Sequence, residues 1–227
     1  MSEIENREPR LPVVYRDDHL LVVNKPTGLL AQADYSGDPD VLTLARQQTG
    51  DEGLRLAHRL DRPTSGLMVL ARTKAAAQGL SRQFRERHAE KRYLAVVEGA
   101  WEGWGEAVDY LAREGDRSVV VEAAHDGAQR AALTWRVAAS DDDLSLIDVL
   151  LETGRKHQIR AQVAERGHPV WGDARYGAER AFPADGIALH AFELAVEHPA
   201  EGRVARWQAA PPGGWGGRFA GIIAAIV

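Results

Sequence analysis

The chain has 227 residues, 44% hydrophobic and 27% charged, a balance that supports one large or two small globular cores and excludes disordered, collagen-like and disulfide-scaffold chains. It contains no cysteine, which rules out disulfides, thiolate zinc sites and a cysteine nucleophile. The net charge of −5, from 28 Lys and Arg against 33 Asp and Glu, argues as a whole-chain average against a nucleic-acid partner.

Residues 1–12 read as a short extension, because Met1 to Glu8 lacks the basic start and apolar core of a signal peptide. Val13 to Tyr15 and Leu20 to Val23 flank the polar turn Arg16 to His19 as a hairpin. A helix is expected over Val41 to Thr49, with Asp40 as N-cap and Gly50 just past its end. Gly66 to Ala71 reads as a strand, followed by a helix from about Thr73 to Arg87 with Ala76, Leu80 and Phe84 on one face. Further strands are expected over Tyr93 to Val97, Ser118 to Val121, Ala131 to Val137, Leu144 to Leu151, Ile187 to Val196 and Val204 to Gln208. A third helix begins near Lys156 and ends before Gly167. The apolar end, Phe219 to Val227, is too short to span a membrane and reads as a docked strand or tail within residues 213–227. Runs of strands with few helices predict an α+β fold on a largely antiparallel sheet. A soluble cytoplasmic protein is the default expectation.

The charge is unevenly distributed. Between Arg55 and Arg92 ten Lys and Arg face three acids, a local +7, and between Gly154 and Arg180 the balance is +3, leaving −15 for the remainder. Two basic segments in an acidic body suit one anion-binding face, since phosphate neutralisation is local. Solvated arginine-rich helices would give the same count.

Two motifs carry candidate chemistry. In His58-Arg59-Leu60-Asp61-Arg62-Pro63-Thr64-Ser65-Gly66, Asp61 lies between two arginines whose charge favours the ionised carboxylate, ready to act as a nucleophile or base. A turn aspartate paired to its neighbours is the plainer alternative. In Thr153-Gly154-Arg155-Lys156-His157-Gln158-Ile159-Arg160, Arg160 sits beside the apolar Ile159 and Val163 face, so its guanidinium can turn inward as a planar partner for a carboxylate. An ordinary basic amphipathic helix would have the same pattern.

Together with Lys91-Arg92-Tyr93-Leu94-Ala95-Val96-Val97-Glu98-Gly99, Gly167-His168-Pro169-Val170-Trp171-Gly172-Asp173, Leu189-His190-Ala191 and the opening Leu21-Val22-Val23-Asn24-Lys25-Pro26-Thr27-Gly28, these motifs closely resemble the RluA-type RNA pseudouridine synthases. The blocks occur in family order over residues 13–212, which mark the catalytic domain. The resemblance implies a pseudouridine-synthase-like mixed, largely antiparallel sheet flanked by helices with a central active-site cleft. It implies that Asp61 is the catalytic aspartate, that Tyr93 stacks on the uracil ring, that Arg160 pairs with the aspartate, and that Arg59 fills the gap left by a flipped uridine. Whether the aspartate attacks the sugar, attacks the base or abstracts a proton stays open. Arg62, Arg82, Arg85, Arg87, Arg155, Lys156 and His157 complete the expected RNA-binding set. Family members use no cofactor or metal and act on ribosomal or transfer RNA, and a monomer is expected.

The segment after Leu30 reads Ala31-Gln32-Ala33-Asp34 and departs from the family pattern. The small RNA-binding domain that many relatives carry ahead of the catalytic one does not fit in the dozen residues before Val13. His58 and His157 are read as orienting groups, and the tryptophans as packing or rim residues, with Trp101, Trp104 and Trp215 in Gly-rich loops. Asp141-Asp142-Asp143 reads as a solvated turn, and Gly213 to Gly217 as a flexible turn that lacks the context of a phosphate-binding loop. A non-catalytic RNA-binding or assembly factor on the same fold is the competing reading, and a two-carboxylate sugar hydrolase a third.

Overall fold

The computed structural model describes residues 10–215 and 219–227. Its first strands, β1 (Val13–Arg16) and β2 (Leu20–Lys25), form the expected hairpin. Asp17 closes the turn by accepting the His19 and Leu20 amides at 2.7 Å. Helix α1 (Val41–Thr49) has the expected ends: the Asp40 carboxylate accepts from the Thr43 amide and Gly50 turns left-handed at φ 68°. β3 (Arg55–Leu56) and β4 (Ser65–Ala71) lead to α2 (Lys74–Glu86), capped by the Thr73 hydroxyl accepting from Ala76. Then follow β5 (Glu90–Glu98), β6 (Trp104–Glu114), β7 (Arg117–Val121), β8 (Gln129–Ser140), β9 (Leu144–Leu151), α3 (Gln158–Glu165), β10 (Leu189–Glu197), β11 (Val204–Gln208) and α4 (Ala220–Ile226).

The strands form one sheet in the order β1-β2-β4-β10-β5-β9-β8-β6-β7, with β11 on β10 and β3 on β4. Among the described strands only β4 and β10 pair parallel. Their contact depends on Gly66, at φ 120°, where a Cβ would lie 2.5 Å from the Ala191 nitrogen. All seven residues of β4 are buried because both its faces are covered. Met68 and Leu70 pack with Val41, Ala45 and Leu54 on the α1 side. Leu67, Val69 and Ala71 pack with Ala76 and Leu80 of α2 on the other. Truncating a residue such as the fully buried Leu80 to Ala would cost about 2–5 kcal/mol.

Strand alternation and register fix which side chains share the α2 face. Leu194 of β10, in the α2 cluster, lies opposite Lys91, and Tyr93 stands two residues on along β5. Tyr93 faces Val149, Val149 faces Trp135, and Ala131 lies further along the same face of β8, where it packs on Ala161 of α3. Helices α2 and α3 therefore stand on one face of the sheet, with Tyr93 of the central strand β5 between them.

The structure corrects three readings. The C-terminal segment is a helix, not a strand, and docks through Phe219 and Ile223. Trp104 opens the unexpected strand β6 and is 80% exposed, whereas Trp215 is buried in a short 3-10 turn. β6 is hard to read because three of its inward positions, Gly105, Ala107 and Asp109, are small or charged, and Leu111 alone on that face is a large apolar residue. Gly105 leaves room for the Trp135 ring, 2.5 Å from where its Cβ would be, and Asp109 accepts from Gln162 of α3 and pairs with Arg166 just past the helix end. Gly216 and Gly217 lie outside the described residues.

Candidate active site

Asp61 stands on the loop before β4. Its backbone carbonyl accepts from the Thr64 amide at 3.1 Å, closing the turn over Arg62 and Pro63. The loop is clamped from below by Lys25, a fully buried residue of β2 whose Nζ donates to the carbonyls of Pro26, Leu29 and Arg62 at 2.9–3.1 Å. Burial pulls that ammonium down to about 7 against the opposing field of Asp61. On the far side of the turn, Ser65 Oγ meets His190 Nδ1 at 2.8 Å, and His190 Nε2 reaches the Ala209 carbonyl at 2.9 Å.

Arg160 of α3 is 4% exposed. Its Nε and Nη2 donate to the two carboxylate oxygens of buried Asp173 at 2.6 and 2.8 Å, and its Nη1 reaches Asp61 Oδ2 at 3.3 Å. The expected Arg160–Asp61 pair is present, but the bidentate partner is Asp173. Burial works against the guanidinium charge, and the Asp173 and Asp61 carboxylates outweigh it, so its pKa is raised. The Tyr176 ring lies under the guanidinium, 5.0 Å from its carbon.

His157 precedes α3 in the left-handed region at φ 54°, unusual for a residue with a side chain. Tyr176 Oη accepts from the Ser118 amide at 2.9 Å and donates to the Ser118 carbonyl at 3.0 Å. The remaining lone pair of that hydroxyl receives His157 Nδ1–H at 3.0 Å. This network assigns the proton to Nδ1 and leaves Nε2 bare, 3.8 Å from Asp61 Oδ2. Burial pushes His157 down to about 4 although Asp61 pulls it up, so the ring is neutral at pH 7.

Arg160 and His157 both address Oδ2. Among the described residues Asp61 Oδ1 has no partner, and a quarter of the side chain is exposed. Tyr93 is 8% exposed on the floor, and burial followed by the Asp61 charge pushes its phenol pKa upward, so it stays neutral.

The expected basic face is only partly free. Arg62 is tied to Asp38 at 2.7 Å and to the Gly28 carbonyl, Arg87 to Glu152, Arg155 to the Arg130 carbonyl and Lys156 to Asp116. Arg92 points to the opposite face, where Asp148 and Glu193 hold it. Arg59 and Arg82 are exposed with no ion pair among the described residues, and Arg85 has only its neighbour Glu86 at 3.5 Å. Lys25, Asp173, Tyr176 and Ser118 belong to the site's framework and were not singled out from sequence. Lys25 and Asp173 lie inside the family blocks, whereas Tyr176 and Ser118 carry no local signal. Among the described residues no cluster of three or more His, Asp or Glu could hold a metal ion.

The family model described as RNA pseudouridylate synthase matches residues 19–165. Over 199 residues the sequence is 35% identical to the dual-specificity RNA pseudouridine synthase RluA of Escherichia coli, covering 86% of this chain and 91% of the relative. The chain belongs to the RluA-type RNA pseudouridine synthases. It is 33% identical over 228 residues to the ribosomal large subunit pseudouridine synthase D of Zymomonas mobilis, covering 92% of this synthase and 71% of the relative. Among solved structures, the human RNA pseudouridylate synthase domain containing 1 aligns with TM-score 0.74 and 28% identity over 91% of this chain and 86% of that one. The synthase is accordingly an isomerase that converts uridine to pseudouridine.

Proposed function

We propose that Asp61 is the catalytic residue and that it acts through Oδ1 on a uridine of structured ribosomal or transfer RNA laid between α2 and α3. The observation that carries this reading is the asymmetry of the carboxylate: Arg160 and His157 both stand at Oδ2, and Oδ1 is open. Isomerisation breaks the bond from the sugar C1′ to N1 and forms one from C1′ to C5, while a proton leaves C5 and one arrives at N1. The products have the mass and oxidation state of the substrate, so the stoichiometry requires no cofactor or second substrate.

Each neighbour has a role in that exchange. Arg160 fixes the plane of the Asp61 carboxylate, because its guanidinium does not deprotonate and is itself locked by Asp173. Tyr93 offers a neutral ring to the face of the uracil as it rotates, where a phenolate would repel the electron-rich base. Neutral His157 leaves the carboxylate charge intact. Exposed Arg82 and Arg85 of α2 and exposed Arg59 supply the phosphate-seeking edge, and in this reading Arg59, two residues before Asp61, fills the stack that a flipped uridine vacates. Arg62, Arg87, Arg155 and Lys156 contribute field more than direct contacts while their carboxylate or carbonyl partners hold them. The protein acts as a cytoplasmic monomer in this reading.

Asp61→Asn tests it. The amide keeps shape and loses charge, so pseudouridine formation, detected in RNA after carbodiimide labelling, should fall at least about a hundredfold with RNA affinity little changed. Retained turnover would remove Asp61 from the chemistry. Release of free uracil by the wild-type protein would point to a hydrolase instead.

A further inference from the structure

Lys91 is an ammonium without a counter-ion among the described residues. It lies two residues before Tyr93 on the same face of β5, at the foot of α2, and among the described residues its side chain makes no hydrogen bond or ion pair. Its charged neighbour is another cation, Arg87, which adds to burial in pulling the Lys91 pKa down to about 8. Most other cations of the two basic segments have a carboxylate or carbonyl beside them, as Arg62, Arg72, Arg92, Arg155 and Lys156 do.

Two more donors lie near Lys91, one within reach of its charge and one beside its ammonium. His58 Nε2 accepts the Val69 amide at 3.0 Å, which puts the proton of the neutral ring on Nδ1, and that N–H has no partner among the described residues. The ring is stacked on Phe84 of α2 at 4.4 Å, which fixes its direction, and burial, reinforced by the Lys91 charge, pushes its pKa down to about 3. Opposite, Gly154 opens the loop before α3. A Cβ there would have Lys91 Nζ, at 3.4 Å, as its sole neighbour within 4 Å, and the Gly154 amide bonds to nothing described. A lysine ammonium thus stands against an unshielded glycine of the loop before α3 and within electrostatic reach of an imidazole whose N–H is idle, and among the described residues none of the three has an acceptor. A desolvated cation beside two idle donors has the chemistry of a phosphate site.

We propose that Lys91, His58 Nδ1 and the Gly154 backbone form an anion subsite that holds one phosphodiester of the RNA next to the target uridine. The subsite rests on the reading of this cleft as the RNA site and adds to it a device for register. A phosphate held two residues along β5 from Tyr93 fixes where the nucleotide enters, as the exposed arginines of α2, free to move with the backbone, do not.

The probe is a stem-loop transcript that the wild-type protein converts to pseudouridine, together with copies carrying a single neutral methylphosphonate at either linkage flanking the target. Wild-type protein should bind one of the two copies about tenfold more weakly than the parent, and Lys91→Gln should bind the parent about tenfold more weakly and lose nothing further on that copy. The slope of log affinity against log salt should fall by about 0.7–0.9 in Lys91→Gln, and Lys91→Arg should restore most of it. Unchanged wild-type affinity for both methylphosphonate copies overturns the subsite without any need for a folded variant. An unchanged salt slope in a Lys91→Gln protein that melts like wild type overturns it equally. Asp61→Asn protein bound to the same RNAs separates the two ideas: loss of the subsite leaves its chemistry-free binding weaker, whereas failure of the function reading shows as no pseudouridine from the wild type.

Discussion

Removing Asp173 should damage this protein more than removing the residue it helps to position. Asp173→Ala deletes both oxygens that take the Arg160 Nε and Nη2 bonds at 2.6 and 2.8 Å. The guanidinium, 4% exposed, is left with Asp61 Oδ2 at 3.3 Å as its remaining carboxylate contact. Breaking one side of a buried pair strands an uncompensated charge and costs about 3–5 kcal/mol, a large part of the roughly 5–15 kcal/mol that holds a domain together. For a chain of this size that corresponds to a fall in Tm of about 6–20 °C. Urea unfolding of wild-type and variant protein measures the cost directly. The double variant Arg160→Met with Asp173→Leu removes both charges, so it should recover most of the stability and none of the activity. A cost below about 1 kcal/mol for Asp173→Ala, or a double variant no more stable than the single, would refute the claim that this pair is locked by mutual neutralisation.

Other tests address the frame of the site. Gly66→Ala should cost about 2–5 kcal/mol and lower activity at the same time, because the new Cβ meets the Ala191 backbone at a φ of 120° and pushes apart the strands that carry Ser65 and His190; a variant that melts and turns over like wild type removes that constraint. His190 is fully buried and burial pushes it down to about 4, although the Ala209 carbonyl opposes the shift. Its folded pKa lies below the unfolded value of about 6.5, so the unfolded chain takes the proton first as pH falls. The stability it contributes is complete above about 6.5 and is lost between there and about 4, with about 2 kcal/mol gone by pH 5. Urea midpoints at pH 7 and pH 5 should therefore converge for His190→Asn relative to wild type, and a difference between the two proteins that does not depend on pH would contradict this.

Much of the scaffold was legible in the sequence because it depends on local chemistry. Asp40 and Gly50 bracket α1, and Thr73 caps α2, because the amides and carbonyls at a helix end take partners a few residues away. β6 escaped notice because its inward Gly105 and Asp109 are made acceptable by Trp135, Gln162 and Arg166, residues distant in sequence. The C-terminal helix was read as a strand or tail because a run of nine apolar residues has no decisive period.

The sequence by itself determined the family, since the ordered motifs carry that information in their spelling, and it located the positive charge in two segments. Only the tertiary structure decided which of those charges are idle. It ties Arg62, Arg87 and Lys156 to Asp38, Glu152 and Asp116, turns Arg92 to the far face, and leaves Lys91 with no anion among the described residues. It also gave Arg160 its main partner, Asp173, and left Asp61 Oδ1 open. The physical reason is that a charge is defined by what lies within a few ångströms of it. In this sheet such neighbours can stand 116 residues apart in the sequence, as Arg206 and Glu90 do.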